Sequence, residues 1–150
     1  MNDLVLKPIT EATYLTVENA WRYRAILRYF YEQHERIRQF LFPDEIYQFL
    51  KKYEAFRGYT MEMLQTDLDQ LVKWKNLMAR QETGRVRTIE EFKKKRFRYQ
   101  CSPYTVEIER MVKSLENMGG SFGGSLEKTL FDRLYESINK IHELIFKANL

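Results

Sequence analysis

The chain is 150 residues long, with 44% hydrophobic and 31% charged residues and a formal net charge of +4. A chain of this size holds a core without staples, and its composition excludes a disordered or fibrous protein. The lone Cys101 excludes an internal disulfide and a multi-cysteine zinc site, and no apolar run approaches the ~18 residues of a membrane-spanning helix.

Residues 1–15 carry no apolar period and read as an arm. The opening MNDLVLKPIT lacks a basic stretch followed by an apolar block, so no secretory signal is expected and a reduced, cytoplasmic setting fits. Thr16 is a suitable N-cap for one long helix running to about Phe40. Its stripe is Tyr23, Ile26, Leu27, Phe30, His34 and Ile37. Trp21, Tyr29 and Tyr31 fall off that stripe, so the helix has more apolar surface than one core needs. That surplus fits either a well-wrapped helix or a second contact such as a dimer.

Pro43, with Asp44 and Glu45 behind it, opens a second helix with the stripe Ile46, Phe49, Leu50 and Tyr53. Thr60 caps a third helix to about Asn76, with Leu64, Leu68, Leu71 and Val72 on its apolar face. Residues 77–83 alternate as a strand, Gly84 turns the chain, and Thr88 to Glu91 match a capping box for a short helix at 89–95. Phe97, Tyr99 and Cys101 then alternate as a second strand with its aromatic face inward. The expected fold is therefore mainly α with a small β-ribbon, in the order of a winged helix-turn-helix over residues 16–102.

Ser102 and Pro103 begin a further helix whose stripe is Tyr104, Ile108, Met111, Val112 and Leu115, reaching Met118. Four glycines in residues 119–124 read as a flexible joint inside a helical extension spanning 103–150. The last helix, about 126–147, aligns Leu130, Leu134, Ile138, Ile141 and Ile145. The two final helices either pack on each other as a hairpin or lie along a partner's coiled coil.

No dinucleotide fingerprint or phosphate loop is present, and GGSFGG follows a helix and lacks a lysine, so it reads as a hinge. His34 and His142 sit beside apolar stripes on separate helices, Cys101 reads as a small buried group, and Asp67 and Asp69 do not converge at a spacing of two on a helix. With no nucleophile, base and orienter together, no enzyme, metal site or cofactor is expected.

The third helix carries Glu62, Asp67 and Asp69 ahead of Lys73 and Lys75, an arrangement that argues against operator reading in a field of phosphates. Basic charge gathers instead around the wing. Arg80, Arg85, Arg87, Lys93, Lys94, Lys95, Arg96 and Arg98 stand there against Glu82, Glu90 and Glu91. Such a segment serves either as a solvated, aggregation-resistant strand edge or as a contact for DNA backbone.

Two stretches carry a resemblance, YLTVENAWRYRAILRYFYEQHERIRQFLFPDEIYQFL at 14–50 and LDQLVKWKNLMARQETGRVRTIEEFKKKRFRYQCSP at 68–103. Over about residues 14–118 the chain resembles the N-terminal part of the JetA family, the kleisin-like subunits of Wadjet anti-plasmid defence systems, similar in layout to the MukF kleisin of bacterial condensins. The resemblance implies an N-terminal piece of a longer subunit whose C-terminal winged helix caps an SMC-type ATPase. It also implies a homodimer formed through the N-terminal winged helix, a neck contact made by the helices after it, and a MukE-like subunit bound by regions beyond this chain. Plasmid cleavage falls to a separate nuclease, the protein acts in the cytoplasm on plasmid or nucleoid DNA, and no membrane is involved. The apolar stripe then nominates Tyr104, Ile108, Met111, Val112 and Leu115 for the neck, and the surplus aromatics nominate Trp21, Tyr29 and Tyr31 for dimerisation. Arg85, Arg87, Lys93, Lys94, Lys95, Arg96 and Arg98 are candidate contacts for DNA backbone. The alternative reading is a winged-helix DNA-binding transcriptional regulator.

Overall fold

Among the described residues, five α-helices and three short strands follow one another in the order α1 (Ala20–Glu35), β1 (Phe40–Leu41), α2 (Pro43–Leu50), α3 (Met61–Lys73), β2 (Leu77–Gln81), β3 (Phe97–Cys101), α4 (Pro103–Met118) and α5 (Gly124–Ala148). The computed structural model describes residues 1–82, 96–119 and 124–149, the side chains of 124–130 excepted. The chain divides into two compact units, Met1–Arg110 and Met111–Leu150. The turn at Gly84, the helix expected at 89–95 and most of the glycine joint lie outside the described residues.

The first unit is mainly helical with a three-stranded antiparallel sheet in the order β1-β3-β2. β3 pairs with β2 from Leu77 opposite Cys101 to Gln81 opposite Phe97, and with β1 at Phe40 opposite Gln100 and Leu41 opposite Tyr99. Tyr99 and Cys101 point inward and are buried, whereas Phe97 at the strand's start is 37% exposed. The core is Ile26, Leu27 and Phe30 of α1, Ile46 and Leu50 of α2, Leu64, Leu68 and Leu71 of α3, and Leu41, Leu77 and Tyr99 of the sheet.

Thr60 caps α3 as expected, its Oγ1 accepting from the Met63 amide at 3.2 Å. Pro43 opens α2, and the Glu45 carboxylate accepts the Phe42 amide at 2.8 Å. Other boundaries differ from the sequence reading. Thr10–Leu15 form a 3-10 turn that puts Tyr14 in the core, while residues 1–9 are exposed. α1 starts after Asn19 rather than at Thr16, and it stops at Glu35 rather than near Phe40.

The stop has a definite cause. The Arg38 amide donates to Gln33 O and the Ile37 amide to His34 O, both at 2.9 Å, and Ile37 takes φ 65°. This pair of bonds is a Schellman motif, which ends a helix through a left-handed residue. Ile37 is consequently 89% exposed and leaves the expected stripe, and the freed chain supplies β1, which the sequence reading lacked. α3 ends the same way, with the Asn76 amide on Leu71 O, the Lys75 amide on Val72 O, and Lys75 at φ 64°. Tyr53, expected on the α2 stripe, lies past the helix end and is 54% exposed.

A left-handed β-branched residue is strained, and this one buries nothing. Ile37→Gly is expected to stabilise the fold by about 0.5–1 kcal/mol, net of glycine's larger unfolded-state entropy. Urea denaturation checks it, with a raised midpoint and an unchanged slope.

Buried ionisable groups add an alkaline limit. Burial, with a smaller push from Glu109, raises the Cys101 thiol from 9.0 to about 12. Burial followed by the carboxylates of Glu109 and Asp67 raises the phenols of Tyr14 and Tyr59 well above 10.0. A group held neutral in the fold lends stability that is complete below its unfolded pKa and lost as pH rises toward its folded one. The decline therefore begins near pH 9 with Cys101, and the two tyrosines join above pH 10. Cys101→Ala should flatten the urea-midpoint profile between pH 9 and 10 while leaving the steeper loss above it.

Candidate partner-binding surfaces

α4 is held at its start by a buried polar knot. Ser102 Oγ accepts from the Thr105 amide at 3.2 Å, and the Ser102 amide donates to Asn76 O at 2.9 Å. Asn76, fully buried, donates through Nδ2 to Glu11 O at 2.7 Å and to Thr105 Oγ1 at 3.0 Å. One amide side chain thus ties the N-terminal segment, the end of α3 and the first turn of α4 together. A turn further on, Glu109 is 1% exposed and accepts from Tyr14 Oη at 2.5 Å and Arg28 Nε at 3.1 Å.

This anchoring decides which face of α4 is covered. Thr105, Val106, Ile108, Glu109 and Val112 are buried. Tyr104 (62%), Met111 (53%), Leu115 (54%) and Met118 (50%) are exposed. At 3.6 residues per turn those four fall within about 60° of arc, roughly 120° from the centre of the buried face. The structure therefore splits the five residues nominated from the sequence. Tyr104, Met111 and Leu115 share one open stripe, Ile108 and Val112 are withdrawn from it, and Met118 extends it. On α5 every described side chain is exposed, and Leu134, Ile138, Ile141 and Ile145 form an open apolar ridge at heptad spacing with Phe131.

The three aromatics nominated for self-association are not brought together. Tyr31 is 6% exposed and belongs to the core. Tyr29 is half-buried and stacks on Phe49 with centroids 3.9 Å apart and planes at 8°. Trp21 alone keeps a large open surface, 48%, tilted against Phe56 at 5.1 Å. Sequence reading missed Phe56 and Tyr59, two buried aromatics after α2 whose segment has no helical period.

The acidic face of α3 also changes. Asp67 is 1% exposed, accepting from Arg22 Nη2 at 2.8 Å and from Tyr59 Oη at 2.6 Å. It is a structural carboxylate, so Glu62 and Asp69 are the acids that α3 presents to solvent. Gln65 donates to Asp69 and to the Tyr99 hydroxyl, both at 3.0 Å.

A cleft of about 290 Å³ opens among His34, Gln39, Gln100, Cys101, Glu107 and Arg110. Arg110 is bound there by Glu35 and Glu107, and the thiol beside it is held protonated, so the cleft presents no activated nucleophile. Among the described residues no three His, Cys, Asp or Glu side chains gather as metal ligands, and no helix is long and apolar enough to cross a membrane. Of the basic residues nominated for DNA, Arg85, Arg87 and Lys93 to Lys95 lie outside the described residues, and Arg96 and Arg98 stand on or beside β3.

The chain belongs to the DUF2397 family, described as proteins of unknown function, whose profile matches residues 12–149. The match runs through both compact units. No curated protein and no solved structure matches the chain.

Proposed function

We propose that this chain is a non-catalytic assembly module, the N-terminal part of a JetA-like kleisin subunit that docks on the neck of an SMC-type ATPase. The observation that carries this reading is the open stripe of Tyr104, Met111, Leu115 and Met118, on a helix whose opposite face is already satisfied by the fold. A helix pinned on one face and apolar on the other is prepared to lie against a partner helix. The ridge on α5 offers a second such strip.

The first unit is read as a winged helix-turn-helix. Its support is the order helix, strand, helix, helix, strand, strand together with the sheet order β1-β3-β2. Self-association is assigned to the α1 surface around Trp21, the one nominated aromatic with half its area open. The neighbouring functions implied by the resemblance, a MukE-like subunit and a nuclease, belong to other regions and other chains. The setting is the cytoplasm, on plasmid or nucleoid DNA.

Calorimetric titration against a head-plus-neck fragment of the SMC-type ATPase encoded beside the gene tests the reading. Micromolar or tighter binding with a negative heat-capacity change is the expected result, since apolar burial carries that signature. Absence of binding between folded components overturns it and brings forward the regulator reading. That alternative requires tight preference for one duplex sequence, although α3 presents two carboxylates and its Gln65 is engaged.

A further inference from the structure

The outer face of the small sheet carries an arrangement that the assembly reading does not use. Arg80 on β2 stands directly opposite Arg98 on β3. Side chains paired this way share one face and lie close together, and like charges so placed repel. Among the described residues neither guanidinium has a carboxylate partner, and Arg98 Nε is buried without an acceptor.

The two β3-side arginines are nevertheless held in place. Arg98 lies over the Phe40 ring at 4.2 Å from its centroid, and Arg96 over the Phe42 ring at 3.9 Å. Stacking fixes each guanidinium plane and leaves edge donors for a ligand. Arg96 reaches Glu82 only at 3.9 Å, with both side chains largely open to solvent. Gln100, on the same face as Arg98, sits between Phe40 and Met78 in the register. The result is a polar, cationic strip with oriented donors and an unneutralised pair at its centre.

We propose that this strip, Arg80, Arg98 and Arg96 on their aromatic supports, binds the phosphodiester backbone of duplex DNA without reading its sequence. Paired guanidiniums suit phosphate oxygens, and a neighbouring anion turns the Arg80–Arg98 repulsion into binding energy. The lack of sequence reading follows from α3, whose open face holds Glu62 and Asp69 and whose Gln65 is occupied. The site goes beyond the neck-docking reading, and either can fail alone, because the α4 stripe and this strip share no residue.

The test is fluorescence anisotropy of the full chain with a random-sequence duplex across a salt series, beside a polyglutamate probe of matched charge. The duplex is expected to bind with a steep salt dependence. Arg80→Ala should lower the slope of log K against log salt by about 1 and weaken binding about tenfold near 50 mM salt, by equal factors on unrelated sequences. Arg80→Glu should weaken binding further. Arg80 is exposed, so both variants should keep the wild-type circular dichroism. Arg98→Lys keeps the charge but not the planar stack, and should weaken binding while the slope holds. Wild-type affinity and slope in Arg80→Glu would overturn the proposal. So would polyglutamate binding as tightly as duplex, which would assign the strip to an acidic protein segment.

Discussion

Glu109→Ala is expected to destabilise the first unit by up to about 3–5 kcal/mol, the upper end for breaking an ion pair whose carboxylate is buried and whose guanidinium is a quarter exposed. Glu109 is 1% exposed and is held by two donors from distant parts of the chain. Without it the Tyr14 hydroxyl loses its acceptor in the core, and Arg28 loses its charge-assisted bond to the carboxylate. An orphaned buried hydroxyl alone costs about 1–3 kcal/mol. Tyr14→Phe, which keeps the Glu109–Arg28 pair but leaves one buried carboxylate oxygen without its donor, should cost less, about 1–3 kcal/mol. Urea denaturation of the two variants checks the ordering. Equal losses in both would mean that the ion pair adds nothing to the hydrogen bond. For a domain this small, 3–5 kcal/mol is a large part of a total of about 5–15 kcal/mol, so Glu109→Ala should be partly unfolded at 37 °C.

The same residues explain what could be read from the sequence. The Thr60 cap, the Leu64, Leu68 and Leu71 stripe, Pro43 at the start of α2 and the alternation of β3 are local signals, and each reappears in the fold. β1 did not announce itself because two residues, Phe40 and Leu41, carry no period, and their pairing with Gln100 and Tyr99 is non-local. Ile37 fits the helical spacing of α1, but the left-handed turn at φ 65° removes it, and a β-branched residue is a poor marker for such a turn. Asp67 looked like a surface acid because neither partner is a sequence neighbour on its helix. Arg22 lies 45 positions away and Tyr59 precedes the cap.

The α4 stripe shows the limit most sharply. Its apolar members were plain from spacing, and apolar spacing ordinarily means a buried face. The fold buries Thr105 and Glu109 beside Val106, Ile108 and Val112, because Asn76, Ser102, Tyr14 and Arg28 offer the two polar residues partners, and Tyr104, Met111 and Leu115 are left outside. Hydrophobic pattern alone cannot rank a mixed face with satisfied polar groups against a wholly apolar one. The ranking depends on donors and acceptors brought in from elsewhere in the chain.

The exposure of Leu115 makes Leu115→Glu the sharpest test of the assembly reading. Leu115 is 54% exposed, so the substitution should leave the urea midpoint within about 0.5 kcal/mol of wild type, as is usual for surface changes. Its effect should fall on the partner. Docking that buries a leucine gains about 2 kcal/mol, and a carboxylate in its place adds a desolvation cost of about the same size or more. The sum, about 4 kcal/mol or more, corresponds to a loss of several hundred-fold or more in affinity for the ATPase neck. Val112→Ala supplies the contrast. Val112 is buried, so its truncation should lower stability by about 1–2.5 kcal/mol yet leave affinity near wild type at temperatures where the chain is folded. If Leu115→Glu destabilised the fold instead and bound the neck normally, the stripe would be a packing face and the docking surface would lie elsewhere. If both variants bound normally, the open ridge of α5 would become the surface to disrupt, beginning with Ile138 and Ile141, each more than half exposed.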